Sequence, residues 1–191
     1  MQTIQMWDQT VSFALQNIHN PFLNAIMIAA TWIGEKGIFW LVCGAALCIP
    51  RRYRKYGIMV ILAVALTYLI ANLILKPIVA RPRPCDLFPD VPLISSRPDG
   101  FSFPSGHTIA SFAAATVIWF ANWKFGLPAM FIAAVIGFSR IYLFHHFLSD
   151  VVAGALLGIG CAFLAALLVK LALLLLRIIF GNKGGKHYDL S

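Results

Sequence analysis

Acid is what this sequence has least of. Seven Asp and Glu stand against fifteen Lys and Arg in 191 residues, and charged residues of both signs make up only 12%. A soluble domain is about a quarter charged and about half apolar; here 60% is hydrophobic. That composition excludes an ordinary soluble globule, because a domain this small cannot bury several helices that are apolar all round. Cysteine is also scarce. Of Cys43, Cys48, Cys85 and Cys161, only Cys85 lies outside an apolar run, so there is no disulfide framework. No DNA- or RNA-binding motif accompanies the net charge of +8, so no nucleic-acid partner is expected. The N-terminus, MQTIQMWDQT, lacks a basic region and a uniform apolar run, so no signal peptide is expected. Repeats and low-complexity tracts are missing too.

What the chain has is long uncharged runs, such as residues 56–75 and 151–169. About 20 apolar residues cross a bilayer. The expected fold is therefore an all-α integral membrane helical bundle. Five spans are read at about 37–50, 55–76, 107–122, 127–144 and 151–177. Residues 4–18 look amphipathic. Asn20 and Pro21 read as a helix start, and the 13-residue run FLNAIMIAATWIG is short for a span. It suits an interfacial or re-entrant helix, although the N-terminal segment could also supply a sixth span. One domain over 1–191 is expected, with this N-terminal segment at 1–36, the chemistry within 76–150 and a tail at 178–191.

RRYRK (51–55) carries four positive charges, which places it in the cytoplasm by the positive-inside rule. Alternation then puts NWKFG (122–126) and the basic tail, with Arg177, Lys183 and Lys186, inside. Loop 77–106 and HHFLSD (145–150) fall outside.

The polar residues left over gather in three places: KPIVARPRP (76–84), FPSGHT (103–108) and SRIYLFHHFLSD (139–150). Alternation brings all three to the outer membrane face. Charged groups at membrane depth are costly and mark function. Lys76, Arg83 and Arg140 are three cations that call for a multiply charged anion, and phosphate fits best. PSGH opens a helix, where Ser105 can cap, Gly106 lets a ligand approach the backbone, and free N–H groups favour an anion. His107 stands beside that anion. His146 and Asp150 are four apart and share a face if the segment is helical. The carboxylate would then take the Nδ1 proton and leave Nε2 free to attack phosphorus. His107 would protonate the leaving oxygen and later activate water. No metal or cofactor is required, because the cations neutralise the charge.

Other readings of single residues stand beside these. Lys76 could snorkel. Asp150 could cap the last helix. His107, His145, His146 and Asp150 could hold a metal, although adjacent cations would repel one. His145 faces Ser149 around a helix and is read as a neighbour of the site. A phosphate or phospholipid transporter would explain the cations, but not His107 or the His146–Asp150 pair.

Taken together, the motifs resemble those of the type 2 phosphatidic acid phosphatase family, membrane lipid phosphatases with the signature K-x6-RP, PSGH and SR-x5-H-x3-D. Here these are Lys76 with Arg83 and Pro84, residues 104–107, and Ser139 and Arg140 with His146 and Asp150. The resemblance implies that Lys76, Arg83, Ser105, Gly106 and Arg140 hold phosphate, that His107 is acid and base, and that Asp150 orients the nucleophile His146. Arg81 offers a second RP pair, at a spacing from Lys76 that the family does not use. It reads as plain loop charge rather than a second phosphate contact. The first 35 residues carry no signature. Among bacterial members of this kind, the implied substrates are undecaprenyl diphosphate first, then phosphatidylglycerol phosphate, phosphatidic acid and diacylglycerol diphosphate. The implied location is the plasma membrane, with an extracytoplasmic site. Loop 77–106 is long for a structureless connection and is expected to cover the site.

Overall fold

A computed structural model describes residues 2–181 of the chain. Lys183, Lys186 and most of the expected tail lie outside the described residues. Nine α-helices are found among those described: α1 (Gln2–Gln16), α2 (Pro21–Ile33), α3 (Ile38–Cys48), α4 (Arg54–Tyr68), α5 (Lys76–Val79), α6 (Pro84–Leu87), α7 (Gly106–Ala121), α8 (Trp123–Tyr142) and α9 (Leu148–Gly181). They contain no strand.

The local signal acts as expected at the start of α2. Asn20 caps α2, its side chain accepting from the Leu23 N–H at 3.0 Å, with Pro21 at the first position. Asn122, read from the sequence only as loop, also caps a helix, accepting from Lys124 N–H at the start of α8. The five expected spans each meet helix, but not as five equal rods. The run Arg54–Leu87, α8 and α9 are long and apolar enough to cross a membrane. Helix α3 has only 11 residues. It reaches that length only together with α2, across a 41° bend at residues 34–37. The short N-terminal run and the first expected span are thus one broken unit. Helix α7, 16 residues long, is also short for a span.

Helix α7 forms the centre and packs against α4, α8 and α9. Ala113, Ala114, Ala115 and Val117 on it are fully buried against Val60, Ala63, Ala133, Ala162 and Ala165. Small residues bring these helices close. A Cβ on Gly158 would sit 2.4 Å from the Ile109 carbonyl, so only glycine fits there. Trp40 on α3 donates its indole N–H to Ser111 on α7 at 2.9 Å, satisfying both buried polar atoms. Large apolar side chains such as Phe131, Leu156, Phe163 and Leu175 face outward, the arrangement a lipid solvent favours.

Candidate active site

Between α4 and α5 the chain winds as a π-helix over Leu69–Leu75. Such wide turns recur at functional sites. This one lines a cavity of about 540 Å³ with Ala71 and Asn72 and delivers Lys76 into it. Gly106 and His107, at the start of α7, line the same cavity. A Cβ on Gly106 would lie 3.9 Å from Lys76 Nζ, so the lysine ammonium stands over the first turn of that helix. The fourth wall is the bend between α2 and α3. Gly34 presses on His107 so closely that a Cβ would sit 2.9 Å from the ring and 2.7 Å from Ile136. This bend brings Glu35 Oε2 within 3.4 Å of His107 Nε2. The geometry falls short of a hydrogen bond, and His107 Nε2 has no hydrogen-bond partner among the described residues.

Arg83 is 3% exposed and is held by backbone carbonyls. Nε donates to Gly100, Nη2 to Asp99, and Nη1 to His145 at 3.1 Å. Nη1 also meets His146 Nε2 at 3.0 Å. A guanidinium only donates, so Nε2 must be the acceptor and the ring proton sits on Nδ1. That is the tautomer an attacking Nε2 needs.

The far side of the ring departs from expectation. Residues 143–147 form a tight turn, not a helix. The Arg140 carbonyl accepts both the His145 and His146 N–H groups, each at 3.1 Å, and Phe144 has φ +60°. Asp150 lies in the first turn of α9, and His146 Nδ1 is 3.8 Å from its Oδ2, too far for a hydrogen bond. Ser102 stands between them. Its hydroxyl lies 3.3 Å from Nδ1 and donates to Asp150 Oδ2 at 2.5 Å. The link from imidazole to carboxylate therefore runs through a serine in loop 77–106. Oδ2 also accepts the Phe147 N–H at 2.9 Å, so Asp150 serves the helix start as well.

Three further expectations are corrected. Ser105 sits at the cap position of α7 without making a side-chain cap bond; its Oγ accepts from Thr108, and its N–H goes to the Asp150 carbonyl at 3.2 Å. Through that backbone N–H, Ser105 links the start of α7 to α9. His145 does not face Ser149, since the turn replaces the helix; its Nε2 meets Ser95 Oγ at 3.0 Å. Arg81 is not loose loop charge. It contacts Asp8 Oδ2 and Asp150 Oδ1, both at 2.6 Å.

Arg140 is 4% exposed; it donates to Thr31, and its Nε has no hydrogen-bond partner among the described residues. Among the described residues, Lys76, Arg83 and Arg140 meet no carboxylate at ion-pair distance, while Asp8 and Asp150 are both paired with Arg81. Arg83 and Arg140 are buried and Lys76 is half-buried; cations so placed without acids are expensive, a deficit that a bound anion would relieve. The same charges act on the histidines in the turn. Burial, then Arg140, Arg83 and Lys76, hold His146 well below the ordinary imidazole pKa, with Ser102 opposing. Burial, then Arg140, His146 and Arg83, push His145 down to about 2. Both rings are neutral at neutral pH. No three His, Cys, Asp or Glu side chains converge as metal donors among the described residues.

Spacing found Lys76, Arg83, Gly106, His107, Arg140, His146 and Asp150, and the fold brings them together. It missed Ser102, Glu35, Gly34 and Asp8. Asp8 alone left a trace, as the one charged residue of an otherwise uncharged helix.

The PAP2 superfamily model matches residues 52–173, more than half of the chain. Phosphatidylglycerophosphatase B of Bacillus subtilis is 32% identical over 178 residues, 84% of this chain and 82% of that protein. The undecaprenyl-diphosphatase of Sulfolobus acidocaldarius is 29% identical over 144 residues, covering 75% and 69%. The crystal structure of a transmembrane PAP2-type phosphatidylglycerolphosphate phosphatase from Bacillus subtilis superposes with a TM-score of 0.75 at 26% identity, covering 89% of this chain and 88% of that one. With its apolar helices and its anion-ready cluster of cations around a neutral histidine, the chain belongs to the PAP2 superfamily and is an integral membrane phosphate-ester hydrolase.

Proposed function

We propose that the chain removes phosphate from a lipid headgroup at the extracytoplasmic face through a phosphohistidine on His146. One observation carries this reading: Nε2 of a buried, neutral histidine meets Arg83 in a cluster of three cations that have no carboxylate at ion-pair distance among the described residues. Phosphate oxygens take over the donors of Lys76, Arg83 and Arg140 and the N–H groups at the start of α7. Arg83 then releases Nε2, which attacks in line. A P–N bond forms, the P–O bond to the lipid breaks, and His107, which enters as an imidazolium beside the phosphate anion and Glu35, gives its proton to the departing oxygen. Water then attacks phosphorus as His107 takes its proton back. The P–N bond breaks, leaving inorganic phosphate and free His146. Ser102 and Asp150 keep the proton on Nδ1 throughout. The cavity beside Lys76 and His107, apolar over Val64, Ala71, Ile109 and Ala110, suits the start of a lipid chain.

Undecaprenyl diphosphate is the favoured substrate, in line with the relative from Sulfolobus acidocaldarius and with one named undecaprenyl-diphosphatase in Bacillus subtilis. Phosphatidylglycerol phosphate is the second reading, favoured by the phosphatidylglycerophosphatase relative and the similar crystal structure. Purified protein should be offered undecaprenyl diphosphate, phosphatidylglycerol phosphate, phosphatidic acid and a soluble phosphate ester. Fastest release from the first supports the favoured substrate, and fastest release from the second replaces it. Release from none would overturn the enzyme reading in favour of a transporter. For orientation, Lys36→Cys should react with an impermeant maleimide on intact cells, and Arg52→Cys only after permeabilisation. The reverse pattern would put the site inside.

A further inference from the structure

Helix α1 lies outside the matched region, yet one of its residues reaches the chemistry. Asp8 is 2% exposed. Its Oδ1 accepts the Ser149 N–H at 2.8 Å, and its Oδ2 accepts the Ser149 hydroxyl at 2.5 Å and Arg81 Nη2 at 2.6 Å. Through Nη1, Arg81 donates to Ser149 Oγ at 2.7 Å and to Asp150 Oδ1 at 2.6 Å. Its guanidinium also lies 4.3 Å from the centre of the Phe147 ring. Phe147, which closes the His146 turn, and the first turn of α9 are therefore both gripped by one arginine, and that arginine is gripped by α1.

We infer that Asp8 and Arg81 are positioning residues for the reaction, holding Asp150 in place and sharing its charge so that it orients His146 without drawing a proton onto the ring. A carboxylate this buried would otherwise favour an imidazolium, and an imidazolium cannot attack. Arg81 opposes that by taking Oδ1, while Ser102 and the Phe147 N–H take Oδ2. Asp8 keeps Arg81 there. The other charged or titratable groups acting on His146 are Arg83, Arg140, Lys76, His107 and His145. None of these meets Asp150 at ion-pair distance, apart from His146 itself.

The inference rests on the phosphatase reading, and its test separates the two. The full-length protein, Arg81→Gln, Asp8→Asn, Asp8→Glu and an inactive His146→Ala control are assayed for phosphate release across pH, with thermal unfolding followed in parallel. The substrate is whichever lipid phosphate the unsubstituted protein turns over. Displacing a supporting group by about 1 Å costs on the order of a hundredfold, and we expect a loss between tenfold and that for Arg81→Gln. The acid limb of kcat/KM should rise by about one pH unit, because the loss of a nearby cation favours the protonated ring. Asp8→Asn loosens Arg81 from Asp150; it should raise the limb in the same direction but by less than Arg81→Gln and cost roughly tenfold in kcat, with Asp8→Glu recovering most of the rate. A purely structural clamp would reduce the amount of folded enzyme but could not move the limb. An unmoved limb in Arg81→Gln overturns the inference, and if that variant unfolds, an unmoved limb in Asp8→Asn does so alone. No release by the unsubstituted protein would instead sink the phosphatase reading.

Discussion

Arg81 and Arg83 are two residues apart, each followed by proline, and they do opposite things. Arg81 is clasped by two carboxylates, and its charge is spent inside the protein. Arg83 is held by three carbonyls and a histidine nitrogen, none of which cancels its charge. One has its anions already; the other is kept ready for one. The acids explain the difference. Asp8 and Asp150 are both committed to Arg81, and no described carboxylate lies at ion-pair distance from Arg83. A cation poised for a substrate is recognised less by its own type than by the absence of an acid beside it.

Four predictions press on this contrast. Replacing Arg83 should do the most damage to activity: Arg83→Ala should lower phosphate release by on the order of 10³-fold, the cost of losing a donor to developing charge. Steady-state kinetics with thermal unfolding checks this, and a loss under tenfold would show that Arg83 is not in the phosphate shell. Stability should rank the other way. Removing Arg81 leaves two buried carboxylates unpaired, worth about 3 kcal/mol. Arg81→Gln should therefore lower the melting temperature more than Arg83→Ala does. Vanadate mimics the five-coordinate phosphorus and should inhibit the unsubstituted protein and Arg81→Gln alike, but not Arg83→Ala. Equal vanadate affinity in all three would erase the distinction. The smallest effect belongs to the other like pair. His145→Ala loses only the contact to Ser95 and the packing of the turn, so its kcat should stay within about tenfold. A loss as large as that of His146→Ala would make the two histidines partners.

The pH dependence follows from the same charges. His146 is held below the ordinary imidazole value, so it keeps its free electron pair as pH falls through that value. The acid limb of kcat/KM attributable to it should therefore lie below about pH 6.5, the ordinary histidine pKa.

Much of this site was legible in the sequence, because three motifs together carry residue types that suit phosphate, and hydropathy with loop charge leads one to expect them on one membrane face. What escaped has specific causes. No glycine or proline marks the break after Tyr142; the helix ends because the Arg140 carbonyl is shared by two N–H groups and Phe144 turns left-handed. That break moved Asp150 away from His146 and made room for Ser102, which nothing in its local sequence distinguishes. Glu35 reaches His107 only because α2 and α3 meet at a bend, and their hydropathy reads as two separate runs. Asp8 needs Arg81, 73 residues away, to acquire meaning. Arg81 and Arg83 cannot be told apart by neighbours in sequence, only by neighbours in space.

The central claim is that His146 carries the reaction. The most direct measurement is phosphate release from the lipid panel by purified His146→Ala, with its unfolding temperature recorded alongside. The account predicts a folded protein that releases no phosphate above background. Turnover at the unsubstituted rate would contradict it.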